Sequence, residues 1–419
     1  MRLCLLLAAN IALAGSTPPR VTAEPPGPTI VVTSTRRLAA NPLVHLNAGD
    51  KGPSINGPTL IRVPAWVEKP LGKYYLYYAT HRESDNIRLL YADAVEGPWR
   101  QHEPGSLQGS DVLPPFRGGV ASPDVLFDEQ AREVLVYFHG GTGQDWPRLS
   151  QASGLAVSKD GVNFTVPSMR DLGLGEDAKR APIFGDFYLR VFRWNGRYYG
   201  VAKAPSSVAS VWRSDDPRKP FELGTEWDFP VRHMAVLVRG DRLLLFYCDR
   251  GDKPERIRLR TVELTGDVAD WKVSEPVDVM YPFADYEGVA QPMRPGGRAM
   301  KTNWHSLRDP HVFEDDGRCY LSYAVAGESG VAIAEVTLSA TAANPRFQPQ
   351  RVDFYTYRTT NDPWRLVGSD EQAPHTLTLT VEPGMEFAVA RFTTAEGEVI
   401  TSMPPVRLLG SPLPKPGEE

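Results

Sequence analysis

Apolar and polar positions alternate with a period of two along most of the chain, in short runs broken by polar, glycine- or proline-bearing turns. That period puts successive side chains on opposite faces of a strand, so it predicts β-structure. No stretch carries the 3.6-residue period of an amphipathic helix. The strands come in related pairs. In four places a polar or aromatic residue opens one strand and an aromatic-rich strand ends 14 positions later: Asp124 to Phe138, Tyr188 to Ala202, His233 to Tyr247 and Asp309 to Tyr323. A fifth copy ends at Tyr78 and carries a longer turn. Asn195-Gly196, Gly240-Asp241 and Asp316-Gly317 fall at the same place in their copies, where a two-residue hairpin turn demands such residues. Five strand–turn–strand units, each trailed by more strand, predict an all-β fold: a five-bladed β-propeller.

The same patterning divides the chain. Residues 1–23 read as a secretory signal, residues 24–53 as a linker and lead-in strand, and residues 54–340 as the propeller. Residues 29–33 (TIVVT) are placed to close the ring. After Leu338 the rhythm changes to short strands with polar turns, so residues 341–419 are expected to form a small β-sandwich-like C-terminal module and tail. That module either binds carbohydrate or packs against the propeller.

Length, charge and cysteines narrow the function. The 419 residues exceed one ordinary core, in keeping with a propeller plus a module. Arg2, an apolar stretch from Leu3 to Ala14 and small residues at Ala12-Leu13-Ala14 or Val21-Thr22-Ala23 imply export and cleavage. That stretch is too short to span a bilayer, so a secreted or periplasmic protein without a membrane anchor is expected. A net charge of −5 argues against a nucleic-acid partner. Beyond Cys4 only Cys248 and Cys319 remain, as a disulfide or as two buried thiols. No CxxC or paired-histidine spacing points to zinc, and no cofactor is evident.

In a propeller the first strand of each blade lines the channel, and the loop from second to third strand reaches the same rim. The 14-residue register therefore nominates two rings. One holds Asn56/Gly57, Asp124, Tyr188, His233 and Arg308/Asp309; the other holds His81/Arg82, His139, Lys203, Asp249/Arg250 and Glu328. Such a rim suits a ligand with many hydroxyls. A carboxylate pair there would serve as general acid and base for glycosidic cleavage.

At these residues the chain resembles a known group. INGPTLIRVP, ASPDVLF, YLRVFRW and LRDPHVFEDDGRCYLSYAVAGESGVAIAE are similar to five-bladed propeller glycoside hydrolases, families 43 and 117 being the nearest. The resemblance implies a hydrolase acting on plant or algal glycans, usually inverting. It also implies a base aspartate at the start of the first blade, where Asn56 or Gly57 stands. An aspartate that tunes the acid is implied in the second blade, and Asp124 matches it. A general-acid glutamate is implied in the third, where Tyr188 stands, with Asp186 two residues earlier. A channel-bound calcium is known among such propellers by the same resemblance.

Because the base and acid positions differ, other acids are expected to carry the chemistry. The catalytic set is read as Asp124, Glu287 and Asp309. His81, His139, Tyr188, Lys203, His233, Arg308 and Glu328 are read as substrate-binding. The expected function is carboxylate acid/base hydrolysis of a polysaccharide or oligosaccharide at the channel mouth. The alternatives are a non-catalytic glycan-binding propeller and a metal- or phosphate-dependent enzyme on the same scaffold, such as a glycoside phosphorylase that holds an anion with His139, His233 and Lys203.

Overall fold

A computed structural model describes residues 2–6, 31–46, 54–81, 86–148, 150–293, 304–339, 351–357, 363–372, 376–380, 387–393, 399–401 and 406–407. Antiparallel sheets follow one another along the chain as blades. The first blade joins Ser54–Arg62, Tyr74–His81, Asn86–Ala92 and Arg100–Leu107. The second joins Arg117–Asp128, Glu133–Gly141 and Gln151–Ser158, with Thr165 bridging to Val157 at its outer edge. The third joins Phe187–Trp194, Arg197–Lys203, Val208–Ser214 and Glu222–Pro230. The fourth joins Met234–Arg239, Arg242–Tyr247 and Ile257–Glu263, on which Lys272–Val273 and Val277–Met280 both pair. The fifth joins Leu307–Asp315, Arg318–Val325 and Gly330–Ser339 to Val31–Arg37 from the other end of the chain. The first strands of the blades neighbour one another in cyclic order, fifth to first included. The protein is thus an all-β, five-bladed propeller. The closing strand expected at residues 29–33 is found at Val31–Arg37; residues 29 and 30 lie outside the described residues.

Both faces of each blade are covered by a neighbour, so alternate positions fill two different cores. In Glu133–Gly141, Val134, Val136 and Phe138 pack with Tyr75, Tyr77 and Leu89 of the first blade. Leu135 and Tyr137 of the same strand pack with Leu189, Val191 and Trp212 of the third. Each such side chain contributes about 1.5–3 kcal/mol when fully buried, so the second strands read as nearly continuous apolar runs.

The expected two-residue turns are present: Trp194 pairs with Arg197, Arg239 with Arg242 and Asp315 with Arg318. In the second blade Asp128 pairs with Glu133, so the turn there has four residues. The 14-residue count therefore slips by two positions, and Asp124 does not open its strand. Ser122 holds that slot. The inner strands of four blades share one bulge, with register breaks at Asn56/Thr59, Ala121/Asp124, Phe187/Arg190 and Arg308/His311. The first bulged residues are Gly57, Ser122, Tyr188 and Asp309, at φ 56°, 46°, 64° and 50°. Left-handed backbone costs a non-glycine residue roughly 1–3 kcal/mol and gathers at functional sites. Proline follows in three of the four, at Pro58, Pro123 and Pro310, where the bulge needs no N–H for the ladder.

Cys248 and Cys319 are buried free thiols, so the disulfide alternative falls away. Beyond the fifth blade, Arg351–Tyr357, Arg365–Asp370, Phe387–Thr393, Val399–Thr401 and Val406–Arg407 form one antiparallel sheet, and Thr376–Thr380 pairs with Arg2–Leu6. Tyr355, Tyr357 and Trp364 pack on Tyr281, Phe283, Val289 and Met293, in the segment before the fifth blade. Among the described residues no helix is long and apolar enough to cross a membrane.

Candidate functional site

The channel wall has two polar layers. The deeper one follows the bulges, where the next residues of each inner strand bind the adjacent blade. Thr59 Oγ1 donates to Pro123 O at 2.5 Å, tying the first blade to the second. Val191 N–H donates to Asp124 Oδ2 at 2.7 Å, tying the third to the second. Arg190 Nε donates to Met234 O at 2.9 Å and its Nη1 to Pro123 O at 2.6 Å. Leu60 N–H donates to His311 Nδ1 at 3.3 Å, tying the first blade to the fifth. Burial pushes Asp124 up to about 6, against the pull of Arg190 at 3.4 Å and of Val191 N–H. Burial likewise lowers Arg190 and brings His311 down to about 3. Asp124 is therefore placed in this inter-blade girdle, not in the ring of strand-opening residues where the sequence count put it.

The outer layer lies at the mouth. The loops from second to third strand hook onto the next blade: Leu307 N–H donates to Glu255 O at 2.9 Å, and Ile55 N–H to Glu328 O at 2.7 Å. Each hook brings an acid against an arginine at the start of an inner strand. Arg232 Nε donates to Glu255 Oε1 at 2.9 Å, and Arg308 Nε donates to Glu255 Oε2. Arg308 Nη1 lies 3.4 Å from Glu328 Oε1, whose Oε2 accepts from Asn56 Nδ2 at 3.3 Å. The zigzag Arg232–Glu255–Arg308–Glu328–Asn56 is buried throughout.

Asp309 sits beside it. Its Oδ2 accepts from Gly57 N–H at 3.2 Å, and its Oδ1 meets His233 Nδ1. Burial, then Arg232, Arg190, His139 and Lys203, hold His233 well below the usual histidine range. Its ring lies 3.6 Å, centre to centre, from that of half-buried Tyr188, which meets His139 edge-on at 4.5 Å and Phe187 at 4.1 Å. Burial, followed by the nearby Glu328, raises the Tyr188 phenol. Lys203 Nζ lies 5.0 Å from the Phe187 ring centre. Three buried atoms here have no partner among the described residues: Asn56 Oδ1, His233 Nε2 and Arg308 Nη2.

The structure thus brings together Asp309, Glu328, Arg308, His233, Tyr188, His139 and Lys203 from the predicted set. It does not bring in Glu287. That carboxylate is fully buried and accepts from Arg37 Nε and Nη2, Tyr323 OH and two backbone N–H groups, which leaves it no capacity to react. It fastens the closing strand Val31–Arg37 to the loop before the fifth blade. His81 ends its strand opposite Ser54, and its side chain lies outside the described residues. Glu255 and Arg232 were not anticipated. The signal for Arg232 was available: Arg232-His233 and Arg308-Asp309 repeat arginine before the same slot in adjacent blades.

The described residues offer no carboxylate-rich cradle for the calcium that the resemblance implies. No group of three or more histidine, cysteine or acidic residues among them is arranged to hold an ion, and the Arg190 guanidinium is itself part of the channel wall.

No protein-family model matches the chain. Among solved structures, a glycosyl hydrolase from Bacteroides ovatus superposes with a TM-score of 0.50 at 10% identity, covering 73% of this chain and 93% of that one. A protein of Parabacteroides distasonis, provisionally assigned as a glycoside hydrolase, gives 0.50 at 12% identity, over 73% and 96%. These neighbours are named as glycoside hydrolases, and what this chain shares with them is the fold. In sequence, an uncharacterized protein of Acanthamoeba polyphaga mimivirus is 32% identical over 336 residues, 72% of this chain and 89% of that protein. The chain belongs to the same family as this mimivirus protein.

Proposed function

We propose that the protein is an exported glycoside hydrolase, or glycosidase-like protein, that acts on a polysaccharide or oligosaccharide at the channel mouth. The fold it shares with proteins named as glycosyl hydrolases supports this. The observation that carries it is the set of unpartnered atoms around Asp309 and Glu328. Leaving a buried polar group unsatisfied costs about 1–3 kcal/mol, so a site built this way is built for a ligand. Arg308 Nη2 donates, whereas Asn56 Oδ1 and the lone pair of a neutral imidazole accept. Sugar hydroxyls, which do both, complement such a mixed set.

The chemistry follows from the same contacts. His233 is neutral, and its Nδ1 faces Asp309, so its one N–H belongs there and Nε2 is left as an acceptor. His233 Nε2 takes the proton of an attacking water, with Asp309 holding the Nδ1–H side of the ring, as the water's oxygen bonds the anomeric carbon and the glycosidic C–O bond breaks. Glu328, held only at 3.3 and 3.4 Å, is the carboxyl group placed to give a proton, when it carries one, to the leaving oxygen. Release of reducing sugar from a panel of plant and marine polysaccharides tests the reading. Wild-type rates in the double variant Asp309→Asn, Glu328→Gln would sink it.

One observation favours a binding-only mouth: Glu255 and Glu328 are both engaged with arginines, as carboxylates that position rather than react would be. Glycan binding without turnover across the panel would select that reading. Export rests on residues 1–23, and N-terminal sequencing of the protein recovered outside the cytoplasm tests it. Cleavage would remove Arg2–Leu6, whose pairing is with Thr376–Thr380 outside the ring.

A further inference from the structure

Among the described residues, the mouth contains a cation with no acid beside it. Lys203 ends the second strand of the third blade, opposite Phe187. Its ammonium rests near the Phe187 face, a weak cation–π contact in place of a salt bridge. That ring adjoins Tyr188, and Tyr188 adjoins His233, so Lys203 stands one aromatic wall away from Asp309. Among the described residues no carboxylate pairs with it. Instead Arg250 and Arg232 are its charged neighbours; with burial they bring the Lys203 ammonium down to about 8. Three neighbouring cations, one without a counter-charge, are unfavourable until a ligand supplies negative charge.

We infer that Lys203 anchors an oxyanion subsite at the channel mouth, flanked by Arg232 and Arg250, and that it takes the carboxylate or sulfate of an acidic sugar. This rests on reading the mouth as a carbohydrate site and names the substrate class as acidic glycans. Free phosphate offers the same oxyanion chemistry and is the other source to be told apart.

The test is calorimetric binding by the full chain of three probes: a galacturonate hexamer, the same hexamer with its carboxylates reduced to hydroxymethyl groups, and inorganic phosphate. Wild type should bind the acidic hexamer about tenfold tighter than the reduced one, the worth of one charge-assisted contact. Lys203→Met should lose that preference and Lys203→Arg keep most of it, with unchanged thermal unfolding. If free phosphate is the occupant, the two hexamers bind alike, and phosphate binding falls about tenfold in Lys203→Met. No Lys203-dependent binding of any probe overturns the subsite. The hydrolase reading fails separately: Lys203-dependent binding without turnover removes the reaction and leaves the subsite, whereas turnover indifferent to Lys203→Met removes the subsite alone.

Discussion

Glu287 and Glu328 are both fully buried glutamates, and the protein uses them in opposite ways. Glu287 accepts from Arg37 at 2.7 and 2.8 Å, from Tyr323 OH at 2.8 Å and from the N–H groups of Phe283 and Ala284 at 2.6 and 2.9 Å. Glu328 has two contacts, at 3.3 and 3.4 Å, and neighbours with unpartnered atoms. A saturated carboxylate is an anchor. An under-filled one, among other under-filled groups, is where a ligand belongs. Burial and charge alone do not separate the two; the count of donors does.

The contrast can be broken by experiment. The largest expected effect is at the mouth. Asp309→Asn should lower kcat/KM by about 10²–10⁴-fold, the usual worth of general-base catalysis, because His233 loses the carboxylate that orients it, with little change in denaturant midpoint. At the anchor the signs reverse. Glu287→Gln should cost about 3–5 kcal/mol in urea unfolding, because it breaks the pair between fully buried Glu287 and half-buried Arg37, while kcat of the folded protein stays near wild type. A Glu287 variant that lost activity but not stability would end the distinction. A smaller effect is expected in the girdle. Asp124 titrates near 6 when folded and near its ordinary value when unfolded, so the protonated carboxyl is the form that folding favours. Its contribution is full below about pH 4 and is lost as pH rises through about 6, on the order of 3 kcal/mol. Asp124→Asn should remove that slope from a pH series of unfolding curves; a slope of the opposite sign would show that Arg190 and Val191 outweigh burial. Smallest of all, Arg197→Ala, which breaks the exposed pair with Asp215, should change stability by less than about 0.5 kcal/mol.

Much of this was legible in the sequence. Hairpins announce themselves through turn residues, and Asn195-Gly196 and Asp316-Gly317 fixed two registers correctly. Asp309, His233 and Glu328 met at the mouth because a two-residue turn keeps the count true. Asp124 lies two positions past the slot because residues 129–132 lengthen one turn, a change that alternation cannot register. The X-Pro pairs at Gly57-Pro58, Ser122-Pro123 and Asp309-Pro310 mark the bulge directly and would have given the right alignment. The anchoring role of Glu287 is hidden in the sequence because its partner Arg37 is 250 positions away, and that of Glu255 because it depends on arginines at the entry of two inner strands to which it does not belong.

The mouth also lies across the seam of the ring. Asn56 meets Glu328 over 272 positions of sequence, and Gly57 meets Asp309 over 252. Contacts between such remote positions form slowly, because a long loop must close before they stabilise anything. A ribosome must therefore finish the fifth blade before these residues can meet. The early blades can assemble first on the cores they share, but the site comes into being in one late event. A chain stopped after the fourth blade would keep most of its hydrophobic interfaces and have no mouth, which makes the appearance of the site a clock for completion of the ring.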